Sequence, residues 1–325
     1  MNYLVTGCAG FIGAKVTENL LAQGHSVVGL DSLNDYYDPK LKQHRLSKLQ
    51  GPNFSFYHGS IEDQQVLDGV FKKHQFDAVI NLAAMAGVRF SQRFPDLYFS
   101  TNVDGTLNLL EMMRKYGVKK KILASTSSLY AGQTLPFTED LAVNKPLSPY
   151  AASKKSAEMI CFTYHHLYDL DVSVLRFFTV YGPAGRPDMS VYRFIFAVEQ
   201  GVPLTVFGDG EQARDFTFVD DIAAGVVAAI RPVGYEVINL GGGRTPISVN
   251  TLISTIEKTL NKKAIVDRKP FHKADMKETW ADISKAKTLL EWQPRIQLTE
   301  GIQQSVDWFL KEKSWLLKLE NKNVD

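Results

Sequence analysis

The amino-acid sequence predicts an α/β fold, a doubly wound parallel sheet covered by helices on both faces and followed by a smaller α/β domain. Three observations predict it. Up to about residue 180, short apolar runs alternate with stretches of helical period, the pattern of strands buried on both faces. A glycine-rich turn, Gly7-Cys8-Ala9-Gly10-Phe11-Ile12-Gly13, joins the first strand-like run to the first helical one. Beyond residue 180 the alternation gives way to Tyr181-Gly182-Pro183-Ala184-Gly185-Arg186-Pro187, which is turn-forming and unsuited to helix or central strand.

In chain order, strands are read at residues 3–5, 26–30, 78–82, 122–124 and 172–175. Between them, Val16, Leu20 and Leu21, and again Val66, Val70 and Phe71, recur at helical spacing. After the turn-forming stretch come a strand at 204–207, a Gly208-Asp209-Gly210 turn and a strand at 235–240. Gly241-Gly242-Gly243 reads as a turn, and helices follow near 249–260 and 299–311. The expected organisation is a first domain over residues 1–180, with segments near 215–245 returning to it. A discontinuous smaller domain takes up residues 181–325.

A chain of 325 residues holds both parts, and 45% hydrophobic residues supply a buried core. The net charge of +2 comes without a basic stripe, which argues against nucleic acid as a partner. Lys119-Lys120-Lys121 reads as a solvated loop ahead of a strand. Cys8 and Cys161, far apart in apolar or glycine-rich segments, read as reduced thiols of a cytoplasmic protein. With Met1 two residues from a core strand, no signal peptide is expected, and no apolar run reaches membrane-spanning length. The seven histidines show no ligand spacing, and the adjacent His165 and His166 point to different sides of a helix, so no metal is expected.

The glycine turn carries the first chemical signal. Gly7 permits a tight turn, Gly10 lets the backbone approach a pyrophosphate, and Gly13 lets the helix pack closely on its strand. The helix N-terminus then faces the phosphate charge. The Gly-x-x-Gly-x-x-Gly spacing is one residue longer in its first gap than the usual dinucleotide fingerprint, and alone it describes many strand–helix turns. Asp31, 18 residues beyond Gly13 at the end of the second strand, adds an acid that accepts ribose hydroxyls and repels a 2′-phosphate. Together they predict a Rossmann-type domain that binds NAD rather than NADP.

Tyr150 and Lys154 stand four residues apart, just after Pro149 at the start of a helix, and so on one face. An ammonium beside a phenol favours the phenolate and makes tyrosine usable as a base. The pair alone is common on helix surfaces. Here Ser125-Thr126-Ser127-Ser128 lies directly after strand 122–124, at the carboxyl edge where α/β sheets place ligands.

With these residues the sequence resembles the extended short-chain dehydrogenase/reductase family. The matching segments are residues 6–13, Asn81-Leu82-Ala83-Ala84, Asn102-Val103-Asp104-Gly105-Thr106, 126–132, 150–154, 214–221 and 281–286, in family order along nearly the whole chain. The resemblance implies Tyr150 as base, Lys154 as its electrostatic partner and nicotinamide-ribose ligand, and Thr126 as the oxyanion-side hydroxyl. It implies NAD contacts from Gly7, Gly10, Phe11, Ile12, Gly13, Asp31, Asn34, Ile61, Leu82, Ala83, Ala84 and Asn102, and from Tyr150 and Lys154 themselves; a helix-capping asparagine would look the same as Asn102. A homodimer through the helix after Ser91 and the helix bearing Tyr150 is implied as well.

The family frame leaves the reaction open. Asn34-Asp35-Tyr36-Tyr37-Asp38-Pro39, Ala86-Gly87-Val88-Arg89 and Gly185-Arg186-Pro187-Asp188-Met189 resemble the UDP-glucuronate 4-epimerases. So does Thr179, where many relatives acting on uncharged hexoses carry asparagine. A uronic acid needs a cationic or multi-donor site for its carboxylate, and Arg186 offers a planar fork, with hydroxyls from Ser127, Ser128 and Thr179. Arg89 joins the substrate candidates, Arg214 is expected on the diphosphate, and Arg268 and Asp275 are candidates for the uridine end. The expected reaction is NAD-dependent 4-epimerisation of UDP-glucuronate to UDP-galacturonate through a 4-keto intermediate. The alternatives are a UDP-glucuronate decarboxylase in the same frame and a non-catalytic NAD-binding protein. Ser60 departs from the aspartate usual near the adenine. Asn81 and Met85 replace a common histidine and glutamine and are expected to flank the nicotinamide.

Overall fold

The structure, a computed structural model, describes residues 1–271 and 276–320. The first half runs β1 (Asn2–Thr6), α1 (Phe11–Ala22), β2 (Ser26–Asp31), α2 (Pro39–Ser47), β3 (Phe54–His58), α3 (Gln64–Lys73) and β4 (Ala78–Asn81). It continues through α4 (Val88–Arg93), α5 (Pro95–Phe99), a π-helical turn over Ser100–Asp104, α6 (Gly105–Tyr116), β5 (Lys120–Thr126), α7 (Pro149–Tyr168), β6 (Asp171–Phe177) and β7 (Thr179–Tyr181). The second half comprises α8 (Ser190–Gln200), β8 (Pro203–Phe207), β9 (Ala213–Arg214), β10 (Phe216–Phe218), α9 (Val219–Ala228) and β11 (Tyr235–Leu240). Last come β12 (Ile247–Ser248), α10 (Val249–Leu260), β13 (Ile265–Lys269), α11 (Ser284–Leu290) and α12 (Leu298–Leu316).

Seven strands form one parallel sheet in the order β11-β6-β5-β4-β1-β2-β3. The expected Rossmann-type α/β class is what the chain adopts. Strand residues alternate between two cores: Tyr3 and Val5 pack on one face of the sheet, with Ile80, Ile122 and Ile222. Leu4 packs on the other face, with Val79, Leu123 and Val172. The strand order reverses between β1 and β4, and such a reversal opens a crevice at the carboxyl ends of the strands. A third core joins α8, α10, α12 and β8 through Phe194, Leu252, Phe309 and Leu204, and reaches Tyr37 and Leu41 at α2. Among the described residues no helix is long and apolar enough to cross a membrane.

The lysine run departs from expectation. Lys120 and Lys121 are not in a solvated loop; they open β5, and both are buried. Lys120 Nζ is held by Asp171 Oδ1 (2.5 Å) and Ser173 Oγ (2.8 Å) on neighbouring β6. Lys121 Nζ is buried with no hydrogen-bond partner, and desolvation pulls its pKa down to about 8. The reason is tertiary: β5 lies between β4 and β6, so its first residues are enclosed whatever their charge. β3 is a further addition to the strands read from the sequence. It is the edge strand, only partly buried, and its apolar signal is correspondingly weak.

Candidate active site

The glycine turn leaves β1 at Gly7, whose φ of +71° and close approach both require glycine: a Cβ there would lie 2.7 Å from the Ala83 nitrogen. At Gly13 a Cβ would fall 2.0 Å from the Gly7 carbonyl oxygen, so α1 packs on its strand only because no side chain intervenes. α1 begins at Gly10 without a side-chain cap, leaving its first amide groups aimed at the cleft, where an anion is favoured. Asp31 closes the turn from β2. Its Oδ2 accepts from Ala9 N at 3.0 Å and its Oδ1 from Leu33 N at 2.8 Å.

A cleft of about 470 Å³ opens here, within the range of ligand sites. Nearly all the anticipated positions line it: Gly7, Gly10, Phe11, Ile12, Gly13, Asp31, Asn34, Ile61, Leu82, Ala83, Ala84, Thr126, Ser127, Ser128, Tyr150, Lys154, Thr179, Arg186 and Arg214. Three candidates do not line it. Arg89 stacks on Phe207 of β8, its guanidinium carbon 4.0 Å from the ring centre. Arg268 lies on β13, with Nη1 donating to the Gly208 carbonyl at 3.3 Å. Asn102 is buried in the π-helical turn. Its Oδ1 accepts from Met85 N, and its Nδ2 donates to Met85 O and to Ser153 Oγ, at 3.0, 3.0 and 2.9 Å. That side chain braces the loop after β4 against the first turns of α7. Asp275 lies outside the described residues.

The reactive end is built by β5 and α7. Ser148 caps α7, its Oγ accepting from Ala151 N at 3.1 Å, and Pro149 opens the first turn. Tyr150 and Lys154 thereby reach the cleft on one helix face. Burial raises the Tyr150 phenol above its usual pKa, opposed by a hydrogen bond from Thr126 and by the charge of Arg186. The lowering expected from Lys154 therefore comes from other groups. Lys154 Nζ instead donates to the Ala124 carbonyl at 3.1 Å. Desolvation brings its pKa down to about 8, against the pull of Glu158. Thr126 Oγ1 also accepts from Ser128 N at 3.1 Å, fixing the 3₁₀ turn that presents Ser127 and Ser128.

Arg186 has its fork partly occupied. Its Nε and Nη2 meet Asp188 Oδ1 and Oδ2 at 3.0 and 2.6 Å, and Nη2 also reaches the Ala86 carbonyl at 3.3 Å. Tyr36 lies beneath the guanidinium at 5.4 Å, and its hydroxyl donates to Asp188 Oδ2 at 3.3 Å. The three segments with local resemblance thus converge in space through Tyr36, Ala86 and Arg186. Arg214 Nη1 donates to the Ala213 and Lys277 carbonyls at 2.8 and 3.3 Å.

Two buried cations escaped the sequence. Lys42 lines the cleft and donates to Asn34 O (2.9 Å) and Asn34 Oδ1 (2.7 Å); burial lowers its pKa to about 8. Arg45 donates to Ala184 O from Nε and Nη2 at 2.9 and 2.7 Å, and to Tyr37 OH at 2.6 Å. Longer contacts reach Ala9 O and Gly185 O, both at 3.3 Å. It pins the Arg186 loop onto the glycine turn. Their only signal was two cations three residues apart on one helix, which reads as a solvated face. Of the departures from the family pattern, Ser60 and Met85 line the cleft. Asn81 is buried beneath it, accepting from Thr6 Oγ1 at 2.7 Å and donating to Thr106 Oγ1 at 3.3 Å.

Comparison with known proteins agrees with this geometry. The profile of the GDP-mannose 4,6 dehydratase family matches residues 4–305. A UDP-glucuronate 4-epimerase of Thermodesulfobacterium geofontis is 57% identical over 317 residues, 97% of this chain and 98% of that protein. The structure of UDP-glucuronic acid 4-epimerase from Bacillus cereus in complex with UDP-glucuronic acid and NAD superposes with a TM-score of 0.90 at 38% identity, covering 96% of this chain and 99% of that one. UDP-glucose 4-epimerase from Thermotoga maritima with UDP-glucose gives 0.88 at 35%, over 96% and 100%. The chain belongs to the GDP-mannose 4,6-dehydratase family of extended short-chain dehydrogenases/reductases.

Proposed function

We propose that this protein is an isomerase that interconverts UDP-glucuronate and UDP-galacturonate by inverting C4 with tightly bound NAD. The observation that carries the reading is the convergence of Tyr150, Thr126, Thr179 and Arg186 on the cleft that is also lined by a glycine turn closed by Asp31. The residues fit the dinucleotide: Gly7 and Gly13 leave no room for a Cβ, the α1 N-terminus is uncapped, and Asp31 stands at the strand end. Gly10–Gly13 would hold the pyrophosphate, Asp31 the adenosine ribose, and Lys154 the nicotinamide ribose. When bound, NAD supplies a hydride acceptor, and then donor, for sugar C4.

Tyr150 takes the proton of the sugar 4-hydroxyl as C4 is oxidised, and Thr126 hydrogen-bonds the oxygen that becomes the ketone. The planar 4-keto sugar turns about its bonds to the diphosphate, and Tyr150 returns the proton once the opposite face has been reduced. The intermediate is a β-keto acid, which loses carbon dioxide when the carboxylate bond aligns with the ketone π system. Thr179, Ser127, Ser128 and Arg186 hold the carboxylate out of that alignment. Arg214 takes the diphosphate.

We read residues 1–180, with the segments near 215–245, as the cofactor domain and the remainder of 181–325 as the sugar-nucleotide domain. A homodimer in the cytoplasm completes the reading. Exposed Leu97, Phe99, Leu107, Met159, Phe162 and Leu167 on α5, α6 and α7 supply an apolar face for self-association, and light scattering reads the mass. Proton NMR of UDP-glucuronate incubated with the protein, without added NAD, tests the function. UDP-galacturonate supports it; UDP-xylose, a 4-keto-pentose, or stoichiometric consumption of NAD overturns it.

A further inference from the structure

Lys154 places an ammonium in a wall where it is 4% exposed, and its one hydrogen bond among the described residues goes to a neutral carbonyl, Ala124 O. A buried ammonium held only by a neutral partner is costly. One helical turn further along α7, on the face that carries Tyr150 and Lys154, stands Glu158, 1% exposed. Its carboxylate is the hub of a buried network. Arg176 of β6 meets it as a fork, Nε to Oε1 at 2.9 Å and Nη2 to Oε2 at 2.8 Å. Ser125, the residue before Thr126, donates to Oε1 at 2.7 Å. Arg176 Nη1 donates to Tyr130 OH at 2.8 Å, and that hydroxyl donates to Asn239 Oδ1 at 2.8 Å.

We propose that Glu158 is a positioning residue for the catalytic set, its carboxylate keeping Lys154 cationic and locking the Ser125–Thr126 end of β5 against the Tyr150–Lys154 face of α7. The inference rests on the reading of Tyr150 and Lys154 as the working pair. Two features favour it over simple pairing with Arg176. Buried ion pairs are often replaceable by apolar side chains without loss of stability, so stability by itself does not call for a charged pair here. The Ser125 bond, moreover, ties the carboxylate to the strand end that carries Thr126. Burial also depresses Lys154, and Glu158 is the charge that opposes the depression.

The charged and titratable groups around this face are few. Tyr150, Lys155, Glu158 and Cys161 lie on α7 itself, Arg176 on β6, Tyr98 on α5, Tyr235 on β11, and Arg186 on the loop after β7. β5 contributes the buried ammonium of Lys121, which faces Cys161, with the Ala124 carbonyl and the Ser125 and Thr126 hydroxyls. Glu139 faces Tyr130, and Asp188 faces Arg186 and Tyr98; Glu158 is the carboxylate that acts on Lys154.

The test compares pH profiles of NAD affinity, by titration calorimetry, and of turnover for the full chain and three variants. Glu158→Gln removes the anion, and the alkaline midpoint assigned to Lys154 moves down by on the order of one pH unit. Arg176→Met removes the fork and leaves the carboxylate to Lys154, Ser125 and the longer contact with Lys155 at 3.5 Å, and the midpoint moves up by a similar amount. Ser125→Ala loosens the strand end, lowering kcat several-fold at an unchanged midpoint. Opposed shifts are not what a merely structural defect produces, since that lowers the melting temperature and kcat in both charge variants at a fixed midpoint. Should Glu158→Gln not fold, Glu158→Asp, which draws the charge back, must still move the midpoint down. Midpoints that stay fixed while UDP-glucuronate is epimerised overturn this inference and leave the function standing. Opposed shifts in NAD affinity without any epimerisation overturn the function and leave this inference standing.

Discussion

Arg186 and Asp188, two residues apart, face each other as a fork: Nε to Oδ1 at 3.0 Å and Nη2 to Oδ2 at 2.6 Å. The guanidinium proposed to meet a sugar carboxylate is already paired with a carboxylate of its own chain. The same guanidinium also hydrogen-bonds the Tyr36 hydroxyl, so its charge is shared among groups of its own chain. Asp188→Asn therefore frees positive charge toward the cleft. KM for UDP-glucuronate should fall about fivefold, on the order of 1 kcal/mol, with the affinity for UDP-glucose unchanged. An equal rise in KM for both sugars, measured by initial rates, would show that Asp188 serves only to hold the loop.

The proposed function gives Tyr150 the proton transfer, so Tyr150→Phe should lower kcat by about a hundred- to ten-thousandfold. The phenol ring keeps its edge-on contact with Tyr98 at 5.9 Å, so folding and UDP-sugar binding should persist. Turnover by NMR, with binding by calorimetry, checks both halves. A variant with more than a tenth of the native kcat would place the base elsewhere.

Arg45 joins the glycine turn, α2 and the Arg186 loop through bonds to Ala9, Tyr37, Ala184 and Gly185. Arg45→Met leaves buried carbonyls without donors, and a loss of about 2–3 kcal/mol is expected. Because the same loop carries Arg186, KM for UDP-glucuronate should rise as well. Thermal melts and initial rates read the two effects. Destabilisation with an unchanged KM would mean that the loop keeps its place without Arg45.

Lys154 gives the pH dependence its sign. Desolvation lowers its pKa from 10.5 to about 8, so between these values the unfolded chain binds more protons than the folded one. This group's contribution to stability accordingly rises as pH climbs from about 8 to 10.5. Activity goes the other way, because the cation proposed for the nicotinamide ribose is lost above about pH 8. An alkaline limb in kcat centred near 8, without a matching step down in melting temperature, is the expected result. A rate that stays flat to roughly pH 10 would remove Lys154's charge from the mechanism.

The sequence by itself determined the sheet class, the glycine turn with Asp31, and the Tyr150–Lys154 pair beside Thr126. These are local signals: strand alternation, a glycine at positive φ, and an i,i+4 spacing each leave a periodic or positional mark along a few residues. The tertiary structure decided what each charge faces. It buried Lys120 and Lys121 in a central strand, turned Asn102 into a brace for Met85 and Ser153, and set Arg89 on Phe207. It also turned Asn81 beneath the cleft, paired Arg186 with Asp188, and brought Lys42 and Arg45 to the turn. Desolvation and charge pairing depend on groups brought together from distant parts of the chain, or on how loops fold back, and no spacing in the sequence records them. The chain's periodicity sets where the backbone goes, and only the packed fold sets how much each polar group is stripped of water and which partner replaces it.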